Sequence, residues 1–163
     1  MAGIPEGFHT ITPQIRVSNG DKAIALYKKA LGAKEIHRML APGTNTIMHA
    51  ALEIGSSKLF LSDHGGQSQA PTGVSSSFYV YVENIDAAHK KAVAAGMKET
   101  MPPTDMFWGD RMSALMDPFG HSWNIATHKR QVSPAEMEKA MKQQFGGTTT
   151  AQKKAPKKGG AKK

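Results

Sequence analysis

The sequence predicts an α+β fold in which a strand–helix–three-strand unit (βαβββ) occurs twice, followed by a C-terminal helix and a basic tail. The main observation is an internal repeat. A strand-like segment leads through Asn19 to a helical pattern that ends at Gly32, and the same succession recurs from Asn84 to Gly96. The composition, with 39% hydrophobic and 21% charged residues, is typical of a soluble globular protein.

The first half is predicted to hold one helix among four strands. Residues 9–17 favour a strand, although Pro13 indicates an edge or irregular position. Asp21 is expected to cap a helix that ends at Gly32. Turns rich in glycine and proline then separate three strand candidates, at 34–41, 46–54 and 57–62.

The second half is predicted to repeat this plan after a Gly/Ser/Gln-rich loop. It contains a β-rich segment at 76–83, a helical pattern at 87–95, and strand candidates near 97–101, 111–117 and 121–128. Because residues 106–111 follow Pro102-Pro103, they are interpreted as a long connection. Both halves together give a predicted domain at 9–130.

Two segments follow this domain. A capping box, Ser133 to Glu136 with proline at the first helical position, predicts a helix within 131–145. The segment 146–163 contains six lysines and no acid, so most of the formal net charge of +8 belongs to it. Its low complexity predicts a disordered, Lys-rich tail. The tail is either a solubilising extension or a site of weak, nonspecific nucleic-acid association.

Several chemistries are excluded by residue type. The chain contains no cysteine, so it has no disulfide, no thiolate zinc site and no cysteine nucleophile. No apolar run is long enough to cross a membrane, so no membrane association is expected. The N-terminal residues lack the pattern of a secretory signal. The absence of cysteine fits a reducing compartment, and a cytoplasmic location is expected.

Several segments are similar to the PhnB-like branch of the vicinal oxygen chelate (glyoxalase/bleomycin resistance/dioxygenase) superfamily. They are ITPQIRV, AIALYKKALGAKE, MHAALEIGSSKLFLSD, FWGDR and DPFGHSWNIATH, followed by VSPAEM. The resemblance covers roughly residues 9–140 and implies two βαβββ modules forming an open barrel around a cavity, in a homodimer. Because this superfamily includes both metal-dependent enzymes and metal-free binding proteins, its fold alone does not assign a reaction.

The metal-dependent relatives hold their ion with four His or Glu side chains, one on the first and last strand of each module. Carried over to this sequence, those positions fall near Thr12, Phe60, Ser77 and Asn124. A phenyl ring cannot bind a metal, and neutral oxygens replace imidazole and carboxylate poorly. No metal and no other cofactor is therefore expected.

The candidate ligand-binding residues are His49, Tyr79, Tyr81, Trp108, Arg111 and Asn124. The family register directs Tyr79, Tyr81 and Asn124 into the cavity, whereas packing against neighbouring strands is the alternative for the tyrosines. His49 shares a strand face with Glu53, either in the cavity or towards solvent.

Trp108 could cover a ligand, and Arg111 could bind a carboxylate or phosphonate. The alternative is an ion pair of Arg111 with Asp110 or Asp117, with Trp108 in the core or the dimer interface.

The leading hypothesis is a metal-free, dimeric protein that binds a small, partly apolar molecule. The first alternative is a metal-dependent lyase, isomerase or dioxygenase of the same superfamily that uses His49, Glu53 or Arg111. The second is nucleic-acid association through the tail. The catalytic residues, and whether the protein is an enzyme at all, are left open.

Overall fold

The structure is a computed structural model that describes residues 4–64 and 75–145. The first unit contains β1 (Gln14–Val17), α1 (Gly20–Leu31), β2 (Lys34–Leu40), β3 (Ile47–Ile54) and β4 (Ser57–Asp63). The second contains β5 (Ser76–Tyr81), α2 (Ile85–Ala94), β6 (Lys98–Asp105), β7 (Asp110–Met116) and β8 (His121–His128), and α3 (Pro134–Phe145) follows. The predicted Lys-rich tail lies outside the described residues.

Both units have the same sheet topology, which supports the predicted repeat. The strand orders are β1-β4-β3-β2 and β5-β8-β7-β6, and the first strand of each unit runs parallel to the last. The remaining pairs are antiparallel hairpins. In the described part of the chain, the two four-stranded sheets remain separate and do not close into a barrel.

Equivalent asparagines begin the two helices. The Asn19 side chain accepts a hydrogen bond from the Lys22 amide, and the Asn84 side chain accepts one from the Ala87 amide. The prediction that Asp21 caps α1 was therefore wrong. Asp21 lies in the first turn, where its charge still favours the helix dipole. The Ser133–Glu136 capping box of α3 is formed by reciprocal hydrogen bonds.

The hairpin between β6 and β7 corrects a second prediction. Residues 106–109 are not a long connection, because β6 continues through Pro102-Pro103 to Asp105. The Met106 amide donates to the Asp110 carbonyl at 2.7 Å, which closes a tight turn. Two prolines are tolerated because β6 is the edge strand of its sheet and its register shifts between Met101 and Thr104.

The core lies between the sheets and the helices, where the two units also meet. Tyr27 of α1 packs its ring 5.2 Å from that of Trp123 on β8, and both side chains are buried. The Asp117 carboxylate accepts hydrogen bonds from the Tyr27 hydroxyl at 2.7 Å and the Trp123 indole at 2.9 Å. A buried polar contact thus joins the first unit to the second. Among the described residues, no helix is long and apolar enough to span a membrane.

Candidate functional site

Along each strand of the second sheet, side chains point alternately towards the helices and away from them. Phe78 of β5 faces the helices and packs its ring 4.7 Å from that of Trp123. The neighbouring strand residues point to the other face. We call this the helix-free face; its residues on β5, β7 and β8 include Ser77, Tyr79, Tyr81, Asp110, Met112, Asn124, Ala126 and His128.

Four residues of the helix-free face form a connected polar group, the Asp110 cluster, which consists of Asp110, Tyr79, Tyr81 and His128. The hydroxyls of Tyr79 and Tyr81 donate to Asp110 Oδ2 at 2.9 and 3.1 Å. His128 Nδ1 lies 2.8 Å from Asp110 Oδ1. Asp110 is only 4% exposed, whereas Tyr79 and Tyr81 are 44% and 63% exposed. A buried carboxylate is therefore covered by three side chains that reach solvent.

The cluster shifts the pKa of its aspartate and of its two tyrosines. Burial opposes ionisation of Asp110, but hydrogen bonds from His128, Tyr79 and Tyr81 outweigh it and hold the Asp110 pKa below its usual value. Burial and the hydrogen bond to Asp110 raise the pKa of Tyr79 to about 12, although a contact from the Trp108 indole partly opposes the rise. The same two causes raise the pKa of Tyr81. At neutral pH the cluster therefore holds an ionised aspartate and two protonated tyrosines.

The FWGDR turn positions Asp110. Gly109 has a φ of 99°, in the region that favours glycine, and its carbonyl accepts hydrogen bonds from the Lys129 and Arg130 amides. A Cβ on Gly109 would lie 2.1 Å from the Arg130 carbonyl oxygen. Only glycine allows this approach between the β6–β7 turn and the end of β8, where His128 lies. The turn thus holds Asp110 beside its imidazole partner.

Trp108 lies in the same turn and packs against the margin of the core. It is half-buried, and its ring packs edge-on against that of Phe107 with the centroids 4.9 Å apart. Its indole also contacts the Tyr79 hydroxyl. Trp108 therefore lies against the Asp110 cluster, as expected if it borders a ligand site.

Arg111 does not have the partners expected from the sequence. Its guanidinium bonds both carboxylate oxygens of Asp86, at 2.8 and 3.0 Å, and reaches Asp105 at 3.2 Å. The predicted alternative, an ion pair with Asp110 or Asp117, was wrong. Asp110 points to the opposite face of β7, and Asp117 lies beyond the far end of the strand, where it is bonded to Tyr27 and Trp123. Arg111 therefore lies on the other face from Asp110, with two carboxylates already beside it.

The family's metal positions do not fit a metal ion. The Asn124 amide donates to Ser77 Oγ at 3.0 Å and to the Phe78 carbonyl at 3.2 Å, so it directs nitrogen-bound hydrogens towards its neighbours. Phe60 packs against the rings of Phe8 and His49. In the parts of the chain that the structure describes, no group of three or more His, Cys, Asp or Glu residues is arranged to hold a metal.

His49 belongs to the other sheet. Its ring contacts Phe60 edge-on at 4.7 Å, and His37 lies 6.4 Å away. Glu53, on the same strand, is held by Lys58 and Lys34. The structure therefore brings Tyr79, Tyr81 and Trp108 together, with Asn124 on the same face, and places His49 and Arg111 elsewhere.

Sequence reasoning missed Asp110 and His128 as members of the site. A signal was present in the DPFG turn, because the Asp117 amide bonds the His121 carbonyl and fixes the register of the β7–β8 hairpin. Counting outward from that pair places Asp110 opposite His128. From the sequence, Asp110 is expected only as an ion-pair partner of Arg111.

A cleft of about 490 Å³ follows the outer edge of β5 and is bordered by the β3–β4 hairpin. We call it the β5 cleft. Five consecutive residues of the second unit, Phe78 to Val82, line it together with Trp123, so it receives side chains from both faces of the strand. Its volume lies within the range of small-molecule sites. Tyr79 and Tyr81 therefore connect the cleft to the Asp110 cluster.

Paired βαβββ units with this strand order define the class of protein. Residues 7–125 match the family model of the Glyoxalase/Bleomycin resistance protein/Dioxygenase superfamily, and the chain belongs to this superfamily. An uncharacterized protein of Mycobacterium bovis is 33% identical over 145 residues, which cover 84% of this chain and 95% of the relative.

Solved structures agree with this fold. TioX from Micromonospora is 24% identical, with a TM-score of 0.58 over 72% of this chain and 98% of that one. A gene product from Arabidopsis thaliana is 26% identical, with a TM-score of 0.57 over 73% and 98%. The PhnB protein from Bacillus cereus is 17% identical, with a TM-score of 0.61 over 73% and 99%.

Proposed function

We propose that the protein binds a small, partly apolar molecule without a metal ion, in the β5 cleft and against the rings of Tyr79 and Tyr81. The observation that carries this proposal is the pair of half-exposed tyrosines, whose centroids are 5.1 Å apart and which line a cleft of suitable volume. Large aromatic side chains are normally buried, and here they border a concave surface. Phe78, Val80 and Val82 supply further apolar wall from the second unit, and Leu31, Ile54 and Leu59 supply it from the first.

The donor chemistry supports the metal-free part of the proposal. The four positions that hold an ion in metal-dependent relatives are occupied here by hydroxyl, amide and phenyl groups, of which Asn124 and Phe60 are engaged with protein neighbours. His49 and Glu53, suggested for an unusual metal arrangement, lie on the other sheet from the Asp110 cluster. No observation favours the enzyme alternative over binding.

Titration of the isotope-labelled full chain with benzyl alcohol tests the proposed site by NMR. The expected result is saturable shifts at residues 78–82, at Trp108 and at the ends of β7 and β8. Tyr81→Ser is expected to weaken binding by about threefold to tenfold, since one aromatic contact is lost. His49→Ser is the control and leaves the affinity unchanged. Shifts confined to the first sheet would place the site elsewhere.

Metal analysis of the purified protein tests whether binding is independent of a metal ion. We expect no stoichiometric divalent ion and no change in benzyl alcohol affinity after treatment with a chelator. A bound ion at one equivalent per chain, or binding that requires added Zn²⁺ or Mn²⁺, would overturn the metal-free assignment while leaving the location of the site intact.

We also propose that the chain forms a homodimer. Supporting this, β2 and β3 expose Ile36, Met39, Leu40 and Met48, each at least 41% exposed. Clusters of exposed apolar residues often mark protein interfaces. Sedimentation velocity is expected to give a dimer, and Met48→Glu is expected to shift it towards monomer; a wild-type monomer at micromolar concentration would contradict the proposal.

A further inference from the structure

We infer that the Asp110 cluster makes the proposed site selective for ligands that donate hydrogen bonds, such as aromatic ammonium or hydroxyl compounds, and selective against carboxylates. This inference rests on the proposed function and names the chemical class of its ligand. It follows from the direction of each hydrogen bond in the cluster, which the buried carboxylate determines.

An ionised carboxylate has acceptor atoms only. Each group within hydrogen-bonding distance of Asp110 must therefore supply the hydrogen. The Tyr79 and Tyr81 hydroxyls direct their hydrogens to Oδ2, and the imidazole of His128 directs its Nδ1 hydrogen to Oδ1. The buried aspartate thus accepts a hydrogen bond from each of the three half-exposed side chains.

The atoms left to face a ligand are acceptors. The Tyr81 hydroxyl oxygen retains lone pairs, and this side chain is the most exposed of the four. When His128 is neutral and Nδ1 carries the hydrogen, Nε2 has a lone pair. Among the described residues, no hydrogen bond is formed at His128 Nε2. The Tyr79 oxygen is less available, because the Trp108 indole contacts it.

Charge acts in the same direction at this position. Asp110 is an ionised carboxylate with no Lys or Arg among its hydrogen-bond partners. The nearest guanidinium along the chain, that of Arg111, is held by Asp86 and Asp105. Lys58, which lines the β5 cleft, is held by Glu53. With the imidazole neutral, a ligand carboxylate on the cluster would meet lone pairs and a negative charge, whereas an ammonium or hydroxyl group would meet acceptors. This reverses the expectation, drawn from the sequence, that Arg111 recognises an anion.

Three probes with the same ring separate these possibilities: benzylammonium, which only donates, benzyl alcohol, which donates and accepts, and benzoate, which only accepts. With the full chain at mildly alkaline pH, where imidazoles are neutral and benzylammonium keeps its charge, we expect affinities in the order benzylammonium, benzyl alcohol, benzoate. The first and last are expected to differ by about tenfold or more, the equivalent of one well-made hydrogen bond.

Two variants test whether the Asp110 cluster causes this order of affinities. Tyr81→Phe retains the ring but removes one outward acceptor, so the preference for benzylammonium over benzoate should fall about threefold to tenfold while the affinity for toluene is retained. Asp110→Asn gives the buried group a donor of its own, which frees a tyrosine hydroxyl to donate outward and should improve benzoate binding. If Asp110→Asn does not fold, Tyr81→Phe, at an exposed position, still tests whether the cluster causes the preference for benzylammonium.

The outcomes are distinct. If all three probes bind at the β5 cleft with equal affinity, or if benzoate binds best, the selectivity is wrong and the proposed binding function stands. If none of the probes, toluene included, binds at the second sheet, both proposals fail. An unchanged preference in Tyr81→Phe contradicts the role assigned to the cluster.

Discussion

The two ends of strand β7 each carry a buried aspartate, and the two differ in what surrounds them. Asp117, just after the strand, is 3% exposed and accepts four hydrogen bonds, from Tyr27, Trp123 and the amides of Phe119 and His121. Asp110, at the other end, is 4% exposed but is covered by side chains that reach solvent. The same residue type thus joins the two units of the fold at one end and orders a candidate ligand surface at the other.

The difference shows that burial of a carboxylate does not by itself assign its role. The donors of Asp117 are buried or belong to the backbone, so they have no alternative partner if the carboxylate is lost. The donors of Asp110 are three half-exposed side chains that can turn to water. We therefore assign stability to the Asp117 end and ligand recognition to the Asp110 end.

The largest expected effect is the loss of Asp117. Asp117→Ala should lower the free energy of unfolding by at least about 3 kcal/mol, because it leaves several buried donors without an acceptor. Asp110→Ala should cost only about 1 kcal/mol, since its partners can be hydrated. Urea unfolding of both variants measures this difference, and equal losses would remove the distinction between the two ends.

Removing one tyrosine hydroxyl from each aspartate should give a smaller difference in the free energy of unfolding. Tyr27→Phe deletes a buried donor to Asp117 and should cost about 1.5 kcal/mol, whereas Tyr81→Phe deletes an exposed donor to Asp110 and should cost clearly less. Thermal or urea unfolding checks the pair. A larger loss in Tyr81→Phe than in Tyr27→Phe would contradict the assignment.

Alkaline titration sharpens the comparison further. The chain has three tyrosines, and burial together with hydrogen bonds to aspartate raises the pKa of Tyr27, Tyr79 and Tyr81. A raised pKa favours the folded state below the pKa of unfolded tyrosine, near 10, and this stabilisation is lost as pH rises through the folded value. For Tyr79 that window extends to about 12.

Phenolate absorbance is therefore expected to appear at higher pH in native than in unfolded protein. In Tyr79→Phe the component near 12 should disappear. Tyr27→Phe is the matched control and should retain that component. Native absorbance that rises as in unfolded protein would show that the tyrosine hydroxyls are not held by the aspartates.

The smallest expected effect concerns Arg111. Its ion pairs with Asp86 and Asp105 lie at the surface, where such pairs contribute little. Arg111→Gln should leave the free energy of unfolding nearly unchanged and leave benzylammonium binding in place. Isothermal titration alongside urea unfolding checks both, and loss of binding would restore Arg111 to the site.

The sequence predicts the fold more completely than the site, for physical reasons. Turn residues, capping residues and apolar periodicity are local, so the paired units and α3 could be predicted, as could the face occupied by Tyr79 and Tyr81. The partners of Arg111 could not, because Asp86 lies on α2 and reaches it only through packing. The pairing of His128 with Asp110 was within reach of the sequence, because the DPFG turn sets the two residues opposite each other.

Side-chain nitrogen NMR of the histidines tests the comparison most directly, because it reports which nitrogen carries the hydrogen in the neutral ring. At mildly alkaline pH, His128 should carry it on Nδ1, where Asp110 accepts it, and leave Nε2 bare. His121, near the other end of β7, should show the opposite tautomer, since its Nε2 faces the Arg16 carbonyl at 3.1 Å and its Nδ1 faces the Ser75 and Ser76 hydroxyls. A hydrogen on His128 Nε2 and none on Nδ1 would contradict the acceptor surface on which ligand recognition depends.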